Sequence, residues 1–136
     1  MKPQEAIDAY AEWIRSHSSS EVVGDYVKIT TLFLDRHSDY FDFYVREKGG
    51  WIELTDDGYL VSDLTSSGFD LNNRDHTAWL CVYWQGRCMA GDTLGGGTIT
   101  MRCKPIYLGQ RVHDLIEGLR NAHHQWISPY EEGGKP

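Results

Sequence analysis

Phe41, Phe43 and Val45 alternate with Tyr40, Asp42, Tyr44 and Arg46, and shortly afterwards Ile52 and Leu54 alternate with Trp51 and Glu53. A period of two sends successive side chains to opposite faces of a strand. Between the two runs stands Glu47-Lys48-Gly49-Gly50, turn chemistry that joins neighbouring antiparallel strands. Residues 40–55 therefore read as a hairpin with one apolar face. A two-stranded hairpin is marginal alone, so the remaining chain must add strands beside it and helices over it.

The flanking segments offer both. Pro3–His17 reads as a helix: Pro3 suits a first turn, and Ala6, Ile7, Tyr10, Trp13 and Ile14 share one face. A serine-rich stretch ends it, and Val22–Thr31 reads as a β-branched strand. Thr55–Asp57 supplies caps for a short helix carrying Leu60, Val61 and Leu64 and ending at Gly68. A further helix is expected over Asn73–Gln85, with Asn72 or Asn73 as cap and Asp75 in its first turn. Arg87–Ala90, Gly91-Asp92 and Thr98–Cys103 read as strand, turn and strand. Gly95-Gly96-Gly97 reads as a wide bend, since it lacks the lysine and spacing of a phosphate loop. The last helix begins near Pro105, carries Leu108, Val112, Leu115, Ile116, Leu119, Ala122, His123 and Trp126 on one stripe, and is expected to stop at Pro129. The expectation is an α+β fold: an antiparallel sheet of four to five strands with the N- and C-terminal helices packed on it. Residues 1–128 form one domain in this reading and 129–136 a flexible tail.

Composition narrows the function classes. A net charge of -7 argues against direct nucleic-acid binding, which requires cations to displace counterions. It leaves room for a local basic patch and suits a basic protein partner. No apolar run is long enough for a membrane span and the first residues carry no apolar signal core, so the expected location is cytoplasmic. Cys81, Cys88 and Cys103 match no disulfide framework or zinc spacing and read as reduced thiols.

Two polar groups stand out. Asp35, Arg36, His37 and Asp39 precede the first hairpin strand, and Asp56-Asp57-Gly58 follows the second. Antiparallel pairing brings those ends to one sheet edge. Grouped there, Asp35, His37, Asp39 and Asp56 are candidate catalytic residues: carboxylates hold a divalent metal or tune one another's protonation, and His37 serves as base or ligand. The same residues also suffice for an ion-paired turn and a capped helix, which need no function. Arg36, Tyr40, Tyr44, Trp51 and Asp57 are candidate binding residues, because Tyr40, Tyr44 and Trp51 lie opposite Phe41, Phe43 and Ile52. If no helix covers that face it is an aromatic binding surface; if one does, it is core. His123-His124 and His113 read as ordinary helix residues. A nuclease pattern fails for want of a lysine after Glu53, and no Gly-x-Ser-x-Gly elbow is present.

Ile29–Leu71, with its Asp35-Arg36-His37-x-Asp39 and Leu54-Thr55-Asp56-Asp57-Gly58 motifs, resembles an uncharacterised bacterial and phage family, domain of unknown function number eighteen twenty-eight. The chain departs from it at Leu32, where that family tends to have proline. The resemblance implies that both polar groups belong to one unit and that the chain is of bacterial or mobile-element origin. It carries no established activity. The favoured expectation is a non-enzymatic interaction protein, encoded by a phage or mobile element, that binds and modulates a host protein in the bacterial cytoplasm. Anti-CRISPR-like inhibition is its most concrete form, and a homodimer is compatible with it. No cofactor is required. The alternative is a hydrolase or nuclease-like enzyme using Asp35, His37, Asp39 and Asp56 with a divalent metal.

Overall fold

The computed structural model describes residues 1–85 and 93–131, with side chains over 1–81 and 96–126. The elements run α1 (Pro3–Ser16), β1 (Ser19–Val23), β2 (Tyr26–Leu34), β3 (Tyr40–Lys48), β4 (Trp51–Thr55), α2 (Tyr59–Thr65), α3 (Arg74–Gln85), β5 (Thr93–Gly95), β6 (Thr98–Cys103), a 3-10 turn (Pro105–Tyr107) and α4 (Leu108–Glu131). All strand pairs are antiparallel, in the order β1-β2-β3-β4-β6-β5. The α+β class is as the sequence indicates.

The expected hairpin is present: Val45 pairs with Leu54 and Lys48 with Trp51. Gly49 and Gly50 take φ values of 60° and 80°, which side chains rarely adopt. Among the described residues the sheet has six strands, more than the four to five expected. The stretch read as one strand turns at Gly24 and becomes β1 and β2, which pair Val22 with Val27. Pairing of β2 with β3 is irregular between Thr30 and Leu34. Leu32 falls in this bulged stretch, where a proline would be tolerated as well. Gly96 and Gly97 make a tight two-residue turn between β5 and β6 rather than a wide bend.

One face of the sheet carries the core. Phe41, Phe43, Leu54, Ile99 and Met101 pack against Leu60, Val61 and Leu64 of α2, Leu80 of α3, and Leu115, Ile116, Leu119 and Ala122 of α4. Trp126 donates through Nε1 to the Ser67 carbonyl at 3.1 Å and closes the corner between α2 and α4. The opposite face holds Tyr26, Lys28, Asp42, Tyr44, Arg46, Trp51 and Arg102, all partly or fully exposed, and no described helix covers it.

Two expectations about the terminal helices need correction. Helix α4 packs on the sheet, but α1 buries no residue. Its apolar stripe stays in solvent, with Ile7, Tyr10 and Trp13 at 60%, 61% and 47% exposure. Periodicity shows which face of a helix wants cover, not whether the chain provides it. Helix α4 also runs past Pro129 to Glu131; a proline in the closing turn forfeits only one hydrogen bond. The expected Arg87–Ala90 strand, Cys88 and the end of the tail (132–136) lie outside the described residues.

Candidate functional site

The turn between β2 and β3 is tied by its own first residue. Asp35 Oδ1 accepts from the His37 and Asp39 amides at 2.8 and 2.9 Å, while the Asp35 amide donates to the Asp39 carbonyl at 2.7 Å. Asp35 Oδ2 accepts from the Tyr59 hydroxyl at 2.6 Å, joining the turn to α2. Burial works to raise the Asp35 carboxyl, but the Tyr59 hydroxyl and the two amides outweigh it and hold it below the usual carboxylate range. The same hydrogen bond, after burial, pushes the Tyr59 phenol well up, so it stays protonated.

Arg36 and His37 turn away from Asp35 onto Asp63, on the same face of α2 as Tyr59. Arg36 Nε donates to Asp63 Oδ2 at 3.0 Å, and its terminal nitrogen reaches the Ser67 hydroxyl at 3.2 Å. With its proton on Nε2, His37 donates to Asp63 Oδ1 at 2.6 Å. From α4, His123 Nε2 lies against Asp63 Oδ2. Burial opposes ionisation of Asp63, yet Arg36, His37 and His123 together keep its carboxyl below the usual range. Burial lowers His123, with Asp63 pulling the other way. One carboxylate thus fastens the β2–β3 turn to two helices.

Asp56 is a different kind of group. Only 2% exposed, it accepts from the Gly58 amide at 2.9 Å and the Ile99 amide at 3.1 Å through Oδ1, and from the Leu60 amide at 3.0 Å through Oδ2. It caps α2 and clasps β6 in one stroke. Burial pushes its carboxyl up against those three amides. Thr55 adds a hydroxyl bond to the Ile99 carbonyl at 2.6 Å. Gly58 follows with φ at 82°, a backbone shape that accounts for glycine after the two acids.

The two polar groups do meet. A cleft of about 380 Å³ opens between them, with Asp35 and Asp39 on one wall and Asp56 and Asp57 on the other. Its aromatic lining is Tyr40, Phe41, Tyr44 and Tyr59, and Asp42 completes the rim. Lys28 approaches Asp42 at 3.7 Å. Tyr40 is 58% exposed at the mouth.

Of the sequence candidates, Asp35, Asp39, Tyr40, Tyr44, Asp56 and Asp57 therefore share the cleft. Arg36 and His37 are engaged on Asp63 instead, and Trp51 sits at the far end of the sheet. His37 and Asp56 do not converge, and among the described residues no three His, Cys, Asp or Glu side chains are grouped to hold a metal. Sequence reasoning missed Tyr59, Asp63 and His123. A signal existed for each: Tyr59 and Asp63 are four residues apart on one helix, and His123 stands on the buried stripe of α4, where a polar group needs a partner.

Fold and site define a small α+β domain in which α2, α3 and α4 cover one sheet face and the motif residues border an acidic, tyrosine-lined cleft. Residues 31–80, from β2 into α3, match the family model described as Domain of unknown function DUF1828. No curated protein matches the chain, and no solved structure does. No helix among the described residues is long and apolar enough to cross a membrane.

Proposed function

We propose that the chain is a non-enzymatic interaction protein that receives a basic segment of a protein partner on the open face of its sheet. The observation that carries this reading is the helix-free face itself: Tyr40 and Tyr44 stand on it in partial or full exposure, where a second helix layer would have made them core. Tyrosines at the rim of a cleft give rigid contact area with a polar handle. The carboxylates beside them favour Lys or Arg over acidic or apolar segments, and the net charge of -7 steers basic partners toward the molecule. In its most specific form, the partner is a basic protein of a bacterial host and the chain a counter-defence inhibitor carried by a phage or mobile element. The motif resemblance and the acidic charge favour that form.

Asp39→Lys and Tyr40→Ala test the reading, because both side chains are exposed and neither holds the fold. A stoichiometric partner captured from bacterial lysate should bind in a salt-sensitive way. Each variant should weaken it by about tenfold or more, the scale of losing a charged or aromatic anchor. A partner bound equally well by both variants contradicts the assignment of this face.

A further inference from the structure

Val22, Val27, Val45, Leu54 and Met101 stand side by side across the sheet, each paired with the next on the neighbouring strand. Residues directly opposite in antiparallel strands share a face, so the row is one apolar band on the core side. Its cover is uneven. Leu54 and Met101 are sealed within the cluster that α2, α3 and α4 build, and Val45 is half-buried. Val27 is 40% exposed and Val22 80%. Among the described residues the helical layer stops short of β1 and β2, and β1 is the edge of the sheet.

Helix α1 has the opposite need. Ala6, Ile7, Tyr10, Trp13 and Ile14 share one side of it, with Ala9 and Ala11 at the margins; Glu5, Asp8, Glu12 and Arg15 all fall on the other side. A broad, uncharged stripe bordered by alanines suits a flat apolar sheet face better than the narrow seam of a helix pair. A 14-residue helix that buries no residue also lacks the packing from which most protein helices take their stability. The molecule thus holds a helical layer that is one helix short and a helix that has no seat.

The chain's own α1 does not take that seat, and its tether opposes it. Only His17 and Ser18 separate α1 from β1. The His17 amide donates to the Trp13 carbonyl at 3.0 Å, and the Ser18 hydroxyl to the Ile14 carbonyl at 2.7 Å. The joint is therefore an extension of the helix end rather than a free hinge. We propose that the seat is filled by α1 of a second copy of this chain: two copies cross their N-terminal helices, each laying Ile7, Tyr10 and Trp13 on Val22 and Val27 of the other. Crossing is two-fold symmetric, so every contact is made twice and both bare surfaces are covered. It takes place on the core side of the sheet, opposite Tyr40 and Tyr44, and leaves the face of the proposed partner open.

Sedimentation equilibrium of the full chain from micromolar to millimolar concentration should show monomer and dimer in exchange. Tyr10→Glu and Val22→Lys, one on each surface, should each weaken association by about a hundredfold, or about tenfold per contact counted twice by symmetry. Both side chains are exposed in the single chain, so dilute variants should keep the circular dichroism of the parent. Ile106→Glu, 84% exposed beyond β6, should leave association unchanged. An equimolar mixture of Tyr10→Glu and Val22→Lys should associate more tightly than either alone, because one helix–sheet contact is then intact and the introduced charges at the other are opposite. Pairing of α1 with α1 gives no such rescue. In a mixture of labelled and unlabelled parent chains, Trp13 ring protons of one copy should show cross-peaks to Val22 methyls of the other. A chain that stays monomeric at millimolar concentration, a dimer that neither variant weakens, or a mixture that gains nothing over the separate variants overturns the proposal.

Discussion

Asp35–Asp39 and Asp56–Asp57 look alike as sequence, two short acid-rich groups bordering the same hairpin, and they border the same cleft. Their construction differs. Asp56 is sealed from water and spends both oxygens on backbone amides from β6 and α2. Asp35 does similar work at the surface, and its neighbours Arg36 and His37 reach across to Asp63. Asp39, by contrast, lines the cleft without tying any element to another. Acid count and spacing do not separate these roles. Burial does, because a carboxylate removed from water must be fully satisfied by the fold, whereas one facing water remains available to a ligand.

The contrast should appear first in stability. Asp56→Ala leaves three amides without an acceptor in a dry site and should cost about 3–4 kcal/mol in urea unfolding. Asp63→Ala removes the shared partner of Arg36, His37 and His123 and should cost about 2 kcal/mol, less because Arg36 and His37 retain access to water. Asp35→Ala frees the turn and the Tyr59 hydroxyl and should cost about 1 kcal/mol. Asp39→Ala should stay within about 0.5 kcal/mol of the parent. If Asp56→Ala costs no more than Asp39→Ala, the distinction between the two groups fails.

Proton linkage separates them by sign. Folding holds the Asp63 and Asp35 carboxyls below their ordinary range. Their contribution is therefore present above that range and is lost as pH falls through the lowered folded values. Folding pushes Asp56 up, so its linkage runs the other way: stability drains as pH rises from the ordinary carboxylate value to the raised one. Stability measured against pH should lose part of its acid limb in Asp63→Asn. In Asp56→Asn it should lose part of the opposing slope above that limb. Identical profiles for the two variants would contradict the assigned directions.

Much of this architecture was legible from the residues. The alternation from Tyr40 to Arg46, the Gly49-Gly50 turn and the long stripe of α4 each follow one local period, and each appears where that period puts it. The meeting of the two polar groups also followed from hairpin geometry alone. What stayed hidden depends on contacts between distant segments. Nothing near Arg36 in the chain announces Asp63, 27 residues away, nor does a helix read by itself announce that His123 will lie against that carboxylate. The bare stripe of α1 is the opposite case: its period is clear, and no element among the described residues supplies the cover that the period implies.

The central claim is that the open sheet face around Tyr40, Tyr44 and Asp39 binds a basic partner while Asp56 and Asp63 only hold it in place. Backbone-amide spectra recorded during titration with a Lys- and Arg-rich peptide test this most directly. The account predicts salt-sensitive shifts concentrated at residues 39–44 and around Asp57, abolished in Asp39→Lys and retained in Asp63→Asn. Shifts scattered over the surface, or an unchanged response in Asp39→Lys, would contradict it.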